Sequence, residues 1–518
     1  MAGTVFVNGG SSETVDLSHH INLKSRSRHP SPLKDIIKFM GYEGMISLAG
    51  GLPHPSLFPI HDLALSVSSP STGEDVARLE VSNETSGTKL SQWLQYGNGA
   101  GAPALREWCR DFTEQVHQPA NKNFEILCHP GNTNAWSKVV GLLLEEGDYI
   151  LCEEFTYPSS QALWIPLGNF AAPVALDAEG MRADLLRKVL EEWDLHHPNT
   201  RRPHVLYIVP VGSNPSGVTY SAQRKQEIYA ICVEYDIILV EDDPYYFLQF
   251  PPFDLEKNGP DEEIASNDGF LKSLSPSFLR YDHQGRVIRL ESFSKTLAPG
   301  LRLGYFITNP IFTERLLRAS EVETQDPSGL SQAVTLSLLQ SWGTDGYITW
   351  LKNLRTKYEV RCGWMIAAFG QHFDLVPASK YPDLQAEGVV AVLKAADGSK
   401  ATPVFSFVPP TGGMFIWTRF YLQSNPAFKT LLEAGTYDDP EQTFTDQLWA
   451  LLAEEKVLLT PGSYYHPWQG RDSTTTKARG ADSAVTNFRF AFSMVTKEEV
   501  EMGIQRLAKV LRKSWHIL

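Results

Sequence analysis

Cysteine is scarce in this chain of 518 residues: five in all, at Cys109, Cys128, Cys152, Cys232 and Cys362. Their odd number, wide spacing and apolar neighbours supply neither a disulfide framework nor a zinc-type CxxC pair, which predicts a reducing, cytoplasmic setting and no bound metal. Positive charge is also short. The 46 Lys and Arg against 60 Asp and Glu leave a formal charge of −14, and a phosphate backbone needs clustered positive charge, so nucleic acid is not an expected partner. Long apolar runs are missing too. Val139-Val-Gly-Leu-Leu-Leu144 is stopped by Glu145, far short of the roughly 20 residues a membrane helix needs, so no membrane partner is expected. The first 20 residues lack a basic start followed by an apolar stretch and hold Glu13 and Asp16, which argues against a secretory or mitochondrial leader. No internal repeat is visible.

What remains is an ordinary globular composition, 42% hydrophobic and 20% charged, in a chain long enough for more than one core. Met1 to Ser31 is polar and closes on Pro30 and Pro32, the pattern of an arm. From about Gly50 to Gln340, short apolar runs (149–152, 205–209, 237–240, 287–290 and 305–307) alternate with helical patterns. Such runs read as buried parallel strands. Ser221 to Tyr235 opens on a capping serine and sets Ile228, Ile231, Cys232 and Tyr235 on one helical face, which predicts a βαβ unit. Past Ser341 the pattern becomes α+β. Pro409-Pro-Thr-Gly-Gly413 precedes a short strand, and a final helix over 497–513 repeats Val500, Ile504, Leu507 and Leu511. The predicted fold is α/β: a large domain with a mostly parallel sheet flanked by helices, plus a smaller α+β domain. The expected division is 1–49 for the arm and part of the small domain, 50–340 for the large domain and 341–518 for the small one. Stretches 70–90, 196–204, 253–285, 378–403 and 468–486 are polar and read as surface insertions.

Three segments bear chemistry. Ser292-Phe-Ser-Lys295 leaves a strand end and is followed by Arg302, which puts an amine beside a candidate anion site; a solvated turn lysine is the plainer reading. Ser213-Asn-Pro-Ser-Gly217 and Glu241-Asp-Asp-Pro-Tyr-Tyr246 follow two other strands. Alone, each is a turn or a solvated acidic run. Together they set Asn, Asp, Tyr, Lys and Arg at the carboxyl ends of neighbouring strands, where an α/β sheet holds its ligand.

With these motifs in order, and with Ser47-Leu-Ala-Gly-Gly-Leu-Pro53, Leu94-Gln-Tyr-Gly97 and Phe488-Arg-Phe-Ala-Phe-Ser493, the chain resembles the fold type I, pyridoxal-phosphate-dependent class I aminotransferases over nearly its whole length. The branch it resembles holds the kynurenine/2-aminoadipate and fungal aromatic aminotransferases. The resemblance implies a seven-stranded sheet in the large domain, pyridoxal 5'-phosphate as cofactor and a homodimer with shared active sites. It implies that Lys295 holds the cofactor covalently and moves the substrate proton, a task suited to an amine with a lowered pKa. Asp243 would pair with the ring nitrogen, Asn214 and Tyr246 with the ring's phenolic oxygen, and Tyr157 would stack on the ring. Asn132 and Thr133, at a helix entry, with Ser292, Ser294 and Arg302, would hold the phosphate. Tyr96 would reach the neighbouring subunit's phosphate. Arg489 would bind the substrate carboxylate through its planar fork, with Asn214 and Gly51 also at the substrate; Gly412 and Gly413 would let backbone come close to it.

The implied activity is ping-pong transfer of the amino group of tyrosine, phenylalanine or tryptophan to a 2-oxo acid such as 2-oxoglutarate. The alternatives are a 2-aminoadipate or kynurenine donor, or a β-lyase on the same fold. Arg26, Arg28 and Lys34 in the arm are candidates to meet a distal carboxylate.

Overall fold

The computed structural model describes residues 15–30, 32, 39, 42–46, 48–49, 51–74, 76–84, 87–251, 253, 266–395 and 401–517. Seven strands form the large sheet: β1 Glu125–His129, β2 Tyr149–Glu153, β3 Phe170–Val174, β4 Val205–Ile208, β5 Ile238–Asp242, β6 Val287–Ser292 and β7 Gly304–Thr308, in the order β1-β7-β6-β5-β4-β2-β3. The central strands β4, β5 and β6 are rich in Val, Ile and Leu and buried along their whole length, as strands covered on both faces are. The expected mostly parallel, seven-stranded sheet is present. One strand corrects the reading: β7, expected to run parallel, is antiparallel to both β6 and β1. Its apolar run gives no direction; the short Ser292–Gly304 connection does, because a parallel return needs a crossover of a dozen residues or more. The strands β1 and β3 were not anticipated.

Helix α1 is Pro103–Val116, α2 Asn132–Leu143 and α3 Ala222–Glu234. The α3 cap is as expected, with Ser221 accepting from the Arg224 backbone N–H at 3.1 Å and Ile228, Ile231 and Cys232 buried. Helix α2 begins at Asn132, because Gly131 (φ 96°) turns the chain directly into it. The long helix α4, Gly329–His372, has one non-helical residue, Gly343, and runs from the large domain into the small one.

The small domain is a six-stranded sheet, β8 Asp374–Pro377, β9 Val389–Lys394, β10 Ala401–Phe407, β11 Phe415–Tyr421, β12 Thr460–Pro461 and β13 Val485–Ala491, with every pairing antiparallel. It has its own core, in which the phenylalanines of β10, β11 and β13 pack beneath α5, Lys497–Ser514. That helix buries Val500, Ile504, Leu507 and Leu511, and Thr496 and Glu499 close a reciprocal cap at its start. Three stretches read as surface insertions contain regular elements: Val76–Ser82 pairs with Asp62–Ser68 in a hairpin, Asn267–Ser273 is helical, and β9 crosses 389–394. Residues 254–265 and 396–400 of those stretches lie outside the described residues.

The arm packs on the large domain over its described part. The Asn22 side chain donates to the Gly141 and Leu144 carbonyls, closing the end of α2. Arg26 is spent on backbone carbonyls of the arm and Arg28 on Glu323 at 2.7 Å; Lys34 lies outside the described residues.

Candidate active site

At the carboxyl ends of β4, β5 and β6 lies a cavity of about 310 Å³. Asn132, Thr133, Tyr157, Asn214, Ser292, Ser294, Lys295 and Arg302, all expected at the site, line it. A larger cavity of about 940 Å³ sits in the small domain among Phe250, Cys362 and Phe373. Its lysines are paired with acids of the same rim, Lys394 with Asp374 and Lys497 with Glu501, and all four side chains are exposed.

Two expected residues are corrected by one position each. Asp243 and Tyr246 do not line the cavity; Asp242 and Tyr245 do. The cause is the two-residue period of a strand. Tyr207 on β4 is in register with Val240, and Arg289 on β6 with Glu241. The even-numbered side chains of β5 therefore share the Tyr207 face, and the odd-numbered ones share the Arg289 face. Asp242 accordingly meets the Tyr207 hydroxyl, whereas Asp243 lies on Arg289 at 3.1 Å, with Glu241 at 3.0 Å and Glu291 at 2.9 Å on the same guanidinium. Tyr246 packs its ring under Arg289, 4.8 Å from the guanidinium carbon. The motif Asp242-Asp-Pro-Tyr-Tyr246 holds Asp-x-x-Tyr twice, one residue apart, and parity against Tyr207 separates the two copies.

Burial raises the Asp242 carboxyl pKa, and the hydrogen bonds from Tyr207 and Asn132 oppose that rise. Asp243 is pushed up to about 7 by burial, which its share of Arg289 only partly offsets. Lys295 is half-buried, and its amine is held below the ordinary lysine value by burial and then by the Arg302 charge.

Around Arg302 the structure builds an anion corner. The residue takes the left-handed backbone (φ 46°) at the turn before β7, which brings its Nη1 to 3.4 Å from Ser294 Oγ. Its Nη2 lies so close to Gly131 that a Cβ there would overlap it. Gly131 is the N-cap of α2 and supplies no side-chain cap, so the first N–H groups of that helix, at Asn132 and Thr133, open toward the same corner. The Asn132 side chain is already engaged, donating to Asp242 Oδ1 at 2.7 Å and to the Leu290 carbonyl at 2.9 Å.

Arg489 enters from β13 of the small domain. Its Nη1 donates to Asn214 Oδ1 at 2.6 Å, and its guanidinium sits 4.2 Å over the Phe415 ring and 5.2 Å from that of Tyr465. No carboxylate among the described residues forms an ion pair with it. Its Nε is buried without a partner and Nη2 has only a 3.5 Å contact to Thr460. One edge of the fork, Nε with Nη2, is therefore largely unpartnered and has the donors a planar anion needs; Arg489 is not itself among the residues lining the cavity, which it adjoins through Asn214.

Tyr96, expected at a neighbouring subunit's site and not at this chain's own, is 63% exposed and does not line the cavity. Two other expectations fall elsewhere. Gly51 is exposed and is not among the lining residues. Gly412 and Gly413 pack against large-domain backbone and do not open onto the cavity: a Cβ on Gly413 would come to 2.6 Å from the Gly212 carbonyl oxygen. Besides Asp242 and Tyr245, the cavity lining adds Tyr207, Trp136 and Phe415, which the sequence reading missed. All three lie in apolar runs that look like core.

Residues 63–361 match the family described as aminotransferase class I and II. The chain is 33% identical to an aromatic amino acid aminotransferase of Schizosaccharomyces pombe, over 96% of this chain and 98% of that one. It is also 33% identical to an L-tyrosine:2-oxoglutarate aminotransferase of Tapinella panuoides, over 86% and 81%. The crystal structure of aminotransferase Aro8 from Candida albicans superimposes with a TM-score of 0.84 at 31% identity, covering 98% of this chain and 100% of that one. Sheet order, strand-end cavity and these likenesses agree, and the chain belongs to the class I and II aminotransferases.

Proposed function

We propose that the protein transfers the amino group of an aromatic amino acid, tyrosine first among them, to 2-oxoglutarate, with pyridoxal 5'-phosphate as cofactor. The observation that carries the reading is the convergence of Lys295, Asp242 and the Arg302 corner in one cavity, with the unpartnered edge of Arg489 beside Asn214. Relatives whose names give aromatic amino acids or L-tyrosine as substrate support the donor, in preference to 2-aminoadipate or kynurenine.

The donor set fits a phosphorylated pyridine aldehyde. The α2 N-terminus, Arg302, Ser294 and Thr133 would hold the phosphate, and the glycine at 131 leaves room for Arg302 to reach it. Asp242 would take the ring nitrogen, Tyr245 and Asn214 the phenolic oxygen, and Tyr157 the ring face. When bound, the cofactor supplies an aldehyde that exchanges amines and a ring that accepts electrons from the substrate Cα. Lys295 removes the Cα proton with an amine already disposed to be neutral, and returns it on the other side of the transfer. Arg489 orients the substrate by its carboxylate so that the Cα proton faces that amine. Asp242 would stabilise a positive charge at the ring nitrogen of the bound cofactor.

The assembly is proposed to be a cytoplasmic homodimer. Tyr42, Ile46, Leu48, Leu57 and Tyr96, all within the first hundred residues, are each exposed, which supports a subunit interface on this part of the chain, and Tyr96 would complete the partner's phosphate site. All five cysteines are free and buried, and among the described residues no helix is long and apolar enough to cross a membrane. The proposed division remains 1–49, 50–340 and 341–518, with the kink at Gly343 as the transition.

The test is an initial-rate panel with tyrosine, phenylalanine, tryptophan, kynurenine and 2-aminoadipate against 2-oxoglutarate, read as glutamate formed. The expected result is turnover fastest with an aromatic donor, in a protein whose visible absorption band is abolished by borohydride and absent in Lys295→Ala. No glutamate from any aromatic donor would overturn the reading.

A further inference from the structure

We propose that Asn132 and Tyr207 are positioning residues that hold the Asp242 carboxylate, from both sides, as the grip on the cofactor's ring nitrogen, so that the Asn132 side chain works at this acid and not at the phosphate. The inference deepens the functional reading above and rests on it.

Asp242 is the one carboxylate among the residues lining the cavity. Each of its oxygens receives one donor: Asn132 Nδ2 on Oδ1 at 2.7 Å and the Tyr207 hydroxyl on Oδ2 at 2.7 Å. The donors come from different elements, the first residue of α2 and the middle of β4, so together they fix both the position and the plane of the carboxylate. Each oxygen keeps a lone pair, enough for one further N–H donor from the cavity side.

Neither donor is free to swing away. The Asn132 amide uses its two hydrogens on Asp242 and on the Leu290 carbonyl, which leaves no donor for an anion. Tyr207 is 1% exposed, with its ring 4.6 Å from Trp136 and 6.3 Å from Trp164. A lone carboxylate in such a site tends to take up a proton, and a protonated acid cannot stabilise a positive ring nitrogen. Two hydrogen bonds to the charged form oppose that, which is the chemical reason for having both.

The test uses full-length apoenzyme and two ligands: pyridoxal 5'-phosphate and its 1-deaza analogue, in which a C–H replaces the ring nitrogen. Tyr207→Phe keeps the ring packing and removes only the hydroxyl. It is expected to weaken pyridoxal phosphate about tenfold, the worth of one hydrogen bond to a charged group, and to leave the deaza analogue within about twofold of wild type. Asn132→Ala is expected to show the same selectivity. Equal weakening of both ligands would mark a merely structural or phosphate-directed role and overturn the proposal, as would unchanged affinity for pyridoxal phosphate. A wild-type apoenzyme that takes up neither ligand would instead overturn the functional reading, and uptake of the deaza analogue by a variant shows that its site is folded.

Discussion

Removing the Arg489 guanidinium tests the substrate end of the site most directly. In Arg489→Met the apolar stem can still pack on Phe415 and Tyr465, while the charge and the fork are lost. The unpartnered edge, Nε and Nη2, can give two charge-assisted hydrogen bonds to a carboxylate. At about 1.5–3 kcal/mol each, their joint loss is about 3–6 kcal/mol, and at about 1.4 kcal/mol per tenfold this lowers kcat/KM for tyrosine by about 10²- to 10⁴-fold. Arg489→Lys keeps the charge without the fork and is expected to fall between the variant and the wild type. The assay is the single-turnover reaction of the loaded enzyme with tyrosine, run beside tyramine, which has the same ring and amine but no carboxylate. The tyrosine rate should collapse and the much slower tyramine rate should stay within a few-fold of wild type. If Arg489→Met lowers both rates equally, or leaves kcat/KM for tyrosine within about threefold, Arg489 is not the carboxylate partner and its unpartnered edge is a packing accident.

Gly131→Ala puts a Cβ into Arg302 at a residue whose φ is 96°. Strain of about 1–3 kcal/mol is expected, appearing as a roughly tenfold or greater loss of pyridoxal phosphate affinity in an equilibrium titration; unchanged affinity would mean that Arg302 can move without cost. Gly212→Ala forces the Gly413 backbone away from the large domain at φ 51°, so a lowered Tm and a raised KM are expected together, and a wild-type Tm would refute the close approach. Glu153, buried between the Ser213 and Tyr220 hydroxyls, has its pKa pushed up by burial to about 7 from an ordinary value near 4.5. A raised folded-state pKa gives stability that is fully present below about pH 4.5 and lost as pH rises through about 7, a change of about 3 kcal/mol. The stability of Glu153→Gln relative to wild type should therefore climb across that window in denaturant titrations, and a flat difference would show that Glu153 ionises freely.

Much of the site was readable from residue order alone. Lys295, Arg302, Asn214 and Arg489 each stand at a strand end or inside an apolar strand, in a pattern with few plain explanations once taken together. The α3 and C-terminal helices were readable for the same kind of reason: a cap residue and a 3.6-residue repeat are local, and local geometry follows from local chemistry. The small-domain strand over 389–394 was hidden because polar, Pro- and Gly-bearing flanks make a short strand look like loop.

What the linear chain determined by itself, then, was which chemical groups are present and roughly which element carries each. What only the tertiary structure decided was which way they face. Asp242 and Asp243 are the same residue type at adjacent positions, and nothing local distinguishes them. Their difference arises because β5 pairs with β4 and β6 in one register, sending the first acid toward Tyr207 and the cavity and the second into the Arg289 cluster on the opposite face. The direction of β7, the meeting of Gly413 with Gly212, and the unpartnered edge of Arg489 beside Asn214 are likewise contacts between residues far apart in the chain, which no property of either partner alone encodes.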